Sequence, residues 1–237
     1  MTMKESPEKT LLVLGASSDV GLALLNELGA EFDHVLLQYR TMNEGLVQLR
    51  ERLAAKADLF KADLSLSEDA ERLAQWVLGK PNSVTHLVHL ASSPAVNVKF
   101  HKAAPELCAD LMNTNVLGIL PVLRVVLAQM LRQRRGRMVF MLSSYVLGER
   151  PPRYQDPYVT AKYALLGLMR ALAQDYAAQG VTVNAVAPDM MDTRFLKDLP
   201  EQIVQAHALA MPFKRNLTPK DVLPAFRLLL SDEGAAI

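Results

Sequence analysis

The sequence predicts an α/β fold: one doubly wound parallel sheet of six strands with helices on both faces. Two observations carry that prediction. Short, nearly continuous apolar runs alternate with longer helical patterns almost to the end of the chain, and such runs suit strands covered on both faces. The first run also ends in a glycine-punctuated turn, "LGASSDVG" from Leu14 to Gly21, of the kind that leads a strand into a helix.

In chain order, strands are expected at 10–15 (TLLVLG), 34–39 (HVLLQY), 57–63 (ADLFKAD), 85–91 (THLVHLA), 137–142 (RMVFML) and 181–187 (VTVNAVA). Helices are expected near 19–29, 43–54, 67–79, 105–133, 155–179 and 218–231. Ser67 with Glu68 and Asp69, Pro105, and Asp156-Pro157 signal helix starts. Gly29 and Gly180 sit where helices should stop. Six β-α units imply a parallel sheet, because parallel neighbours need crossover connections. With no linker or repeat, the chain reads as a polar leader over 1–9 and one domain over 10–237. Loops at 92–104, 145–157 and 188–217 are the expected substrate-facing segments.

Composition narrows the class. Lys plus Arg number 26 against 25 Asp plus Glu, which argues against a nucleic-acid or anionic-membrane partner. The basic run from Arg132 to Arg137 reads as a solvated helix end. Cys108 is alone, so a reducing, cytoplasmic compartment is expected. The leader has no apolar segment, and the stretch from Val116 to Leu131 is interrupted by Arg124 and too short to span a bilayer. His86 and His89 lie on one strand and are read as sharing a face. No Cys, Asp or Glu joins them at ligand spacing, so they are core or loop-bracing residues, and no metal is expected.

The opening turn is a degenerate phosphate cradle. Gly15 and Gly21 suit a tight turn and close helix–strand packing. Position 19, where the pattern Gly-x-x-x-Gly-x-Gly has another glycine, is Asp. Asp19 is expected to help cap the following helix, and Ser17 and Ser18 to offer hydroxyls. Its charge would oppose a phosphate by about 3 kcal/mol at ~6 Å and an effective dielectric of ~20. Replacing it with glycine should therefore tighten dinucleotide binding. At the end of the second strand no carboxylate is present to select NAD, while Arg40 suits the 2′-phosphate of NADP.

"DPYVTAKYALLGL" (156–168) sets Tyr158 and Lys162 four apart, on one face of the expected helix. A nearby ammonium favours an ionised phenol, and such a tyrosine can exchange a proton with a carbonyl oxygen as hydride is transferred. Together with "LGASSDVG", "KADLS", "NTNVLG", "GRMVFMLSS" and "VTVNAVAP", taken in this order, these residues resemble the short-chain dehydrogenase/reductase family, in its 3-oxoacyl-carrier-protein-reductase-like branch. The resemblance spans about Thr10 to Ala236.

It implies a Rossmann fold, normally of seven strands, and assigns roles. Tyr158 would be the acid–base group. Lys162 would hold the nicotinamide ribose and lower the pKa of Tyr158. A strand-end serine, Ser144 in preference to Ser143, would bind the carbonyl oxygen, and Asn115 would hold a water linking Lys162 to solvent. Cofactor contacts are implied at Gly15, Ser17, Ser18, Asp19, Val20, Gly21, Arg40, Asp63, Leu64, Leu90, Ala91, Pro188, Met191 and Thr193. A homodimer or homotetramer, joined through helices 105–133 and 155–179, is implied as well.

The chain departs from the family pattern at Leu14, at Asp19, in "HLAS" (89–92) and in "APD" (187–189). It stops at Ile237, where the family continues into a last strand. His101, Lys102, Arg150 and Arg153 flank the expected cleft as loop charges open to an anionic substrate. Met190, Met191 and Met211 offer adaptable apolar surface there. The expected function is NADPH-dependent reduction of a ketone to a secondary alcohol, with a 3-oxoacyl thioester as the first substrate class and NAD as the alternative cofactor. The alternatives are an NAD-dependent alcohol dehydrogenase and a non-catalytic dinucleotide-binding relative acting as subunit or sensor.

Overall fold

The computed structural model describes residues 8–148 and 152–237; most of the leader and Arg150 lie outside them. Six parallel strands form one sheet: β1 (Thr10–Leu14), β2 (His34–Tyr39), β3 (Ala57–Lys61), β4 (His86–His89), β5 (Gly136–Met141) and β6 (Val181–Val186). Their spatial order is β3-β2-β1-β4-β5-β6. The chain winds outward from β1 in one direction and from β4 in the other. Between these two strands the connections diverge, leaving a crevice at the carboxyl ends of the strands.

The alternation of side chains along each strand builds two cores. On β1, Leu12 and Leu14 join one cluster, and Leu11 and Val13 the other. The first core is completed by helices α3 (Ser67–Leu78), α5 (Leu120–Gln133) and α6 (Asp156–Tyr176). The second is completed by α1 (Asp19–Leu28), α2 (Glu44–Leu53) and α8 (Pro219–Leu230). Each fully buried leucine contributes on the order of 2 kcal/mol, so the double-sided cover is the main source of stability.

Several details differ from the sequence expectation. The expected helix 105–133 is two helices, α4 (Pro105–Asn115) and α5, separated by a one-turn 3-10 segment at Leu117–Ile119. Gly118 causes the close approach there: a Cβ would collide with the Leu64 carbonyl oxygen. The stretch Pro105–Gln133 is long and apolar enough to cross a membrane by composition, but it is half-buried and broken at Val116. An extra helix, α7 (Glu201–Ala210), stands within the segment expected to be a loop. Gly180 takes the left-handed conformation of a helix stop (φ 84°), whereas Gly29 is right-handed and starts a further 3-10 turn. Ser67 is the first residue of α3 rather than its cap; Leu66 holds that place. The run 132–137 is not wholly a solvated helix end: Arg137 lies in β5, is buried, and faces Asp232 at 3.8 Å. His86 and His89 are three residues apart, so they project to opposite faces of the sheet; His86 lies edge-on to Phe32 and His89 to Phe140.

Gly118→Ala is expected to destabilise the fold by about 2 kcal/mol or more in urea denaturation, because the methyl group meets rigid backbone. Gly167, on α6 with nothing within 4 Å of an added Cβ, is the control; Gly167→Ala should stabilise by roughly 0.5–1 kcal/mol.

Candidate active site

The crevice is a cavity of about 500 Å³ at the carboxyl ends of β1, β4 and β5. Its floor is the β1–α1 turn. Gly15 has φ 86°, and a Cβ on it would lie 2.7 Å from the Ala91 nitrogen, so only glycine lets this turn approach the end of β4. Gln38, a buried polar residue inside the apolar strand β2, ties the turn down. Its Oε1 accepts the Gly15 N–H at 2.8 Å, and its Nε2 donates to the Ala62 carbonyl at 2.7 Å. Asn43 caps α2 and also donates to the Ser17 carbonyl at 2.8 Å. Sequence reasoning passed over both residues; an amide interrupting "HVLLQY" was the available signal for the first.

Ser18, not Asp19, caps α1: its hydroxyl accepts the Gly21 N–H at 3.0 Å. The Asp19 carboxylate instead binds Arg194, 175 residues away, through the main-chain N–H and Nε, each at 2.7 Å. Gly15, Ser17, Ser18, Asp19 and Val20 line the cavity, as do Arg40, Asp63, Leu64, Leu90, Ala91, Pro188, Met191 and Thr193. Gly21 does not; a Cβ there would meet the Gly15 and Ala16 carbonyls at 2.8 Å, so its smallness serves the turn. Asp63 uses one carboxylate oxygen on the Ser65 N–H and hydroxyl, at 3.0 and 2.8 Å.

On the opposite wall stand Tyr158, Lys162 and Ser143. Tyr158 is 8% exposed and Lys162 only 2%. Asp156 and Pro157 open α6 and set these side chains one turn apart, facing the cavity. The Lys162 Nζ donates to the Met141 carbonyl at 3.0 Å and lies 5.6 Å from the Tyr158 ring centroid. Burial pushes the Tyr158 phenol well above its usual range, opposed by a hydrogen bond with Ser143. The lowering expected from Lys162 does not appear: burial sets the direction, and the group that opposes it is Ser143. Burial also brings the Lys162 ammonium down to about 7, so the cation itself is weakened. A phenol in this environment holds its proton more tightly than a free tyrosine does.

The serine facing the cavity is Ser143, not Ser144. Ser143 is buried just past the end of β5, lines the cavity and accepts the Tyr145 N–H at 3.4 Å, whereas Ser144 begins a 3-10 turn and does not line the cavity. Asn115 also lies off the wall, fully buried at the end of α4. Its side chain donates to the Leu111 carbonyl at 2.9 Å, and its own carbonyl, freed by the helix break, is 3.0 Å from His89 Nε2. His101, Lys102 and Arg153 do not reach the cavity. Met190 and Met191 line it and Met211 does not. Among the described residues no cluster of metal-ligating side chains occurs.

The donor set fits a dinucleotide: a glycine turn no Cβ could replace, a helix N-terminus above it, and an arginine at the end of β2. Comparisons agree. A family model for short chain dehydrogenases matches residues 9–204. The chain is 27% identical to a 3-oxoacyl-[acyl-carrier-protein] reductase of Staphylococcus epidermidis over 97% of this chain and 94% of the relative. It is 28% identical to an A-factor type gamma-butyrolactone 1'-reductase (1S-forming) of Streptomyces virginiae, covering 97% and 91%. Among solved structures, a variant of actinorhodin polyketide ketoreductase with NADPH superposes with a TM-score of 0.85 at 28% identity, covering 97% of this chain and 93% of that one.

Burial holds His89 neutral, with its proton affinity brought down to about 3, and His86 to about 4. Unfolded histidine takes up a proton near 6.5, so both contribute stability above that pH and lose it as the pH falls toward 4. Folding free energy should decline on acidification below 6.5 by up to ~1.4 kcal/mol per pH unit for each histidine. His89→Asn, read by urea denaturation at pH 5 and 7, should remove one such contribution from the slope.

Proposed function

The chain belongs to the short-chain dehydrogenase family, NAD(P)-dependent oxidoreductases acting on CH–OH and C=O groups, and from that premise we propose that it reduces a ketone to a secondary alcohol with NADPH. The observation that carries the reading is the buried Tyr158 hydroxyl on the cavity wall, with Ser143 beside it and Lys162 one helical turn along. NADPH, held by the Gly15 turn and Arg40, would supply the hydride for the carbonyl carbon. Tyr158 donates its proton to the carbonyl oxygen, which the Ser143 hydroxyl holds in place. Lys162 stabilises the phenolate left behind.

Arg40 supports NADPH over NADH. It lines the cavity at the end of β2, with Thr41 and Asn43 on the same wall. A guanidinium offers two donors and a permanent charge to a 2′-phosphate. For the substrate, the wall around Tyr158 includes Pro94, Ala95, Tyr145 and Phe195. This largely apolar surround suits an acyl chain, and with the relatives' names it supports a 3-oxoacyl thioester as the first class to test. The exposed sides of α4, α5 and α6 are expected to meet a second copy of the chain. The altered glycine turn favours a second reading, a dinucleotide-binding relative without catalysis; an active reductase excludes it.

Tyr158→Phe should lower the rate of ketone-dependent NADPH oxidation by about 10²- to 10⁴-fold while leaving NADPH affinity within twofold. Ser143→Ala should approach that loss and Ser144→Ala should not. In fluorescence titrations, Arg40→Ala should raise the Kd for NADPH about tenfold and leave that for NADH unchanged. Equal Kd values for the two in the wild type would overturn the cofactor preference.

A further inference from the structure

Asp19 stands where the turn pattern carries glycine, and its carboxylate is committed to one partner. One oxygen accepts the Arg194 main-chain N–H and the other accepts Nε, both at 2.7 Å; Nη2 of the same arginine donates to the Ser17 carbonyl at 2.8 Å. These three bonds join the phosphate turn to the segment 188–217, which covers the cavity from the side. Asp19 and Arg194 both line that cavity. Beside them, the Phe195 ring lies 5.7 Å from the Tyr158 ring, so the same stretch reaches both ends of the site.

The covering segment is bound firmly to itself. Leu217 N–H donates to the Met190 carbonyl at 3.1 Å, and Asp192 N–H to the Leu217 carbonyl at 2.8 Å. Asn216 Nδ2 donates to Asp192 at 3.0 Å, and His207 bridges Asp189 at 2.9 Å and Asn216 at 2.8 Å. Its base is tied to the end of β5 where Ser144 N–H donates to the Pro188 carbonyl at 2.8 Å. Residue 194 is where this segment is fastened to the phosphate turn.

We propose that Asp19 and Arg194 form a clasp that holds this segment on the phosphate turn and slows the exit of the dinucleotide. The second half of the proposal rests on the cofactor reading above; the first half does not. In this role Asp19 is a positioning residue for Arg194. Its charge is matched by the guanidinium and does not simply repel the phosphates. The pair is partly solvent-exposed, with side-chain exposures of 27% and 57%, so a lone ion pair here would be weak. The strength comes from three bonds converging on one residue, two of them charge-assisted by the carboxylate.

Two readouts test the clasp. Amide hydrogen exchange over residues 190–197 is measured in the protein without cofactor, for the wild type, Asp19→Asn, Arg194→Gln and the double variant. Release of NADPH is then followed by stopped-flow fluorescence on mixing with excess NADP. Both single variants should exchange faster over 190–197 and release NADPH at least fivefold faster. The double variant should be no faster than the more affected single one, since one clasp can be lost only once. Slower release or tighter NADPH binding in Asp19→Asn overturns the proposal, because the carboxylate would then act as a repelling charge. Unchanged exchange and release in both variants overturn it equally. If the wild type takes up no NADPH, the cofactor reading fails, while the exchange comparison still decides whether the clasp exists.

Discussion

The whole site depends on how closely the β1–α1 turn can approach the end of β4. Gly15 adopts a left-handed conformation and carries no side chain, so its backbone passes within contact of Leu90 and Ala91. Gln38 then fastens the turn from β2, with one amide group satisfying Gly15 and the Ala62 carbonyl together. Its removal would leave the half-buried Gly15 N–H and the buried Ala62 carbonyl without this partner, the latter a loss of roughly 1–3 kcal/mol. That lattice leaves the N-terminus of α1 facing the crevice. The crevice itself exists because the chain winds away from β1 and β4 in opposite directions.

Burial sets the acid–base chemistry across the crevice. The same desolvation that raises the Tyr158 phenol lowers the Lys162 ammonium, because each is disfavoured in its charged form. The pair is therefore poised with its proton on oxygen. His89 belongs to the same buried region: it is neutral, edge-on to Phe140, and its Nε2 meets the carbonyl of Asn115 that the helix break releases.

The departure at position 19 is compensated across the fold. A carboxylate in a phosphate turn is costly when isolated, but Arg194 brings a guanidinium and a backbone donor to it. The substitution and its partner lie in segments that are distant in sequence, and they act on the same cavity wall.

The alternation of apolar runs and helical patterns determined the sheet, its parallel sense and the approximate bounds of every strand, because strand and helix periodicities are local properties. The spacing of Tyr158 and Lys162 likewise determined that they share a helix face, and the β-α-β pattern put them near a glycine turn. What lies beyond local pattern was decided by packing. The break at Val116 follows from the contact of Gly118 with Leu64, which no window of sequence contains. The choice of Ser143 over Ser144 depends on where β5 ends and which hydroxyl then faces the cavity. The partner of Asp19 lies 175 residues away, and the burial of Tyr158 depends on packing that brings Ala95, Leu111, Tyr145 and Phe195 around it. Side-chain environments are sums over neighbours that only the folded chain brings together, so the tertiary structure alone determined them.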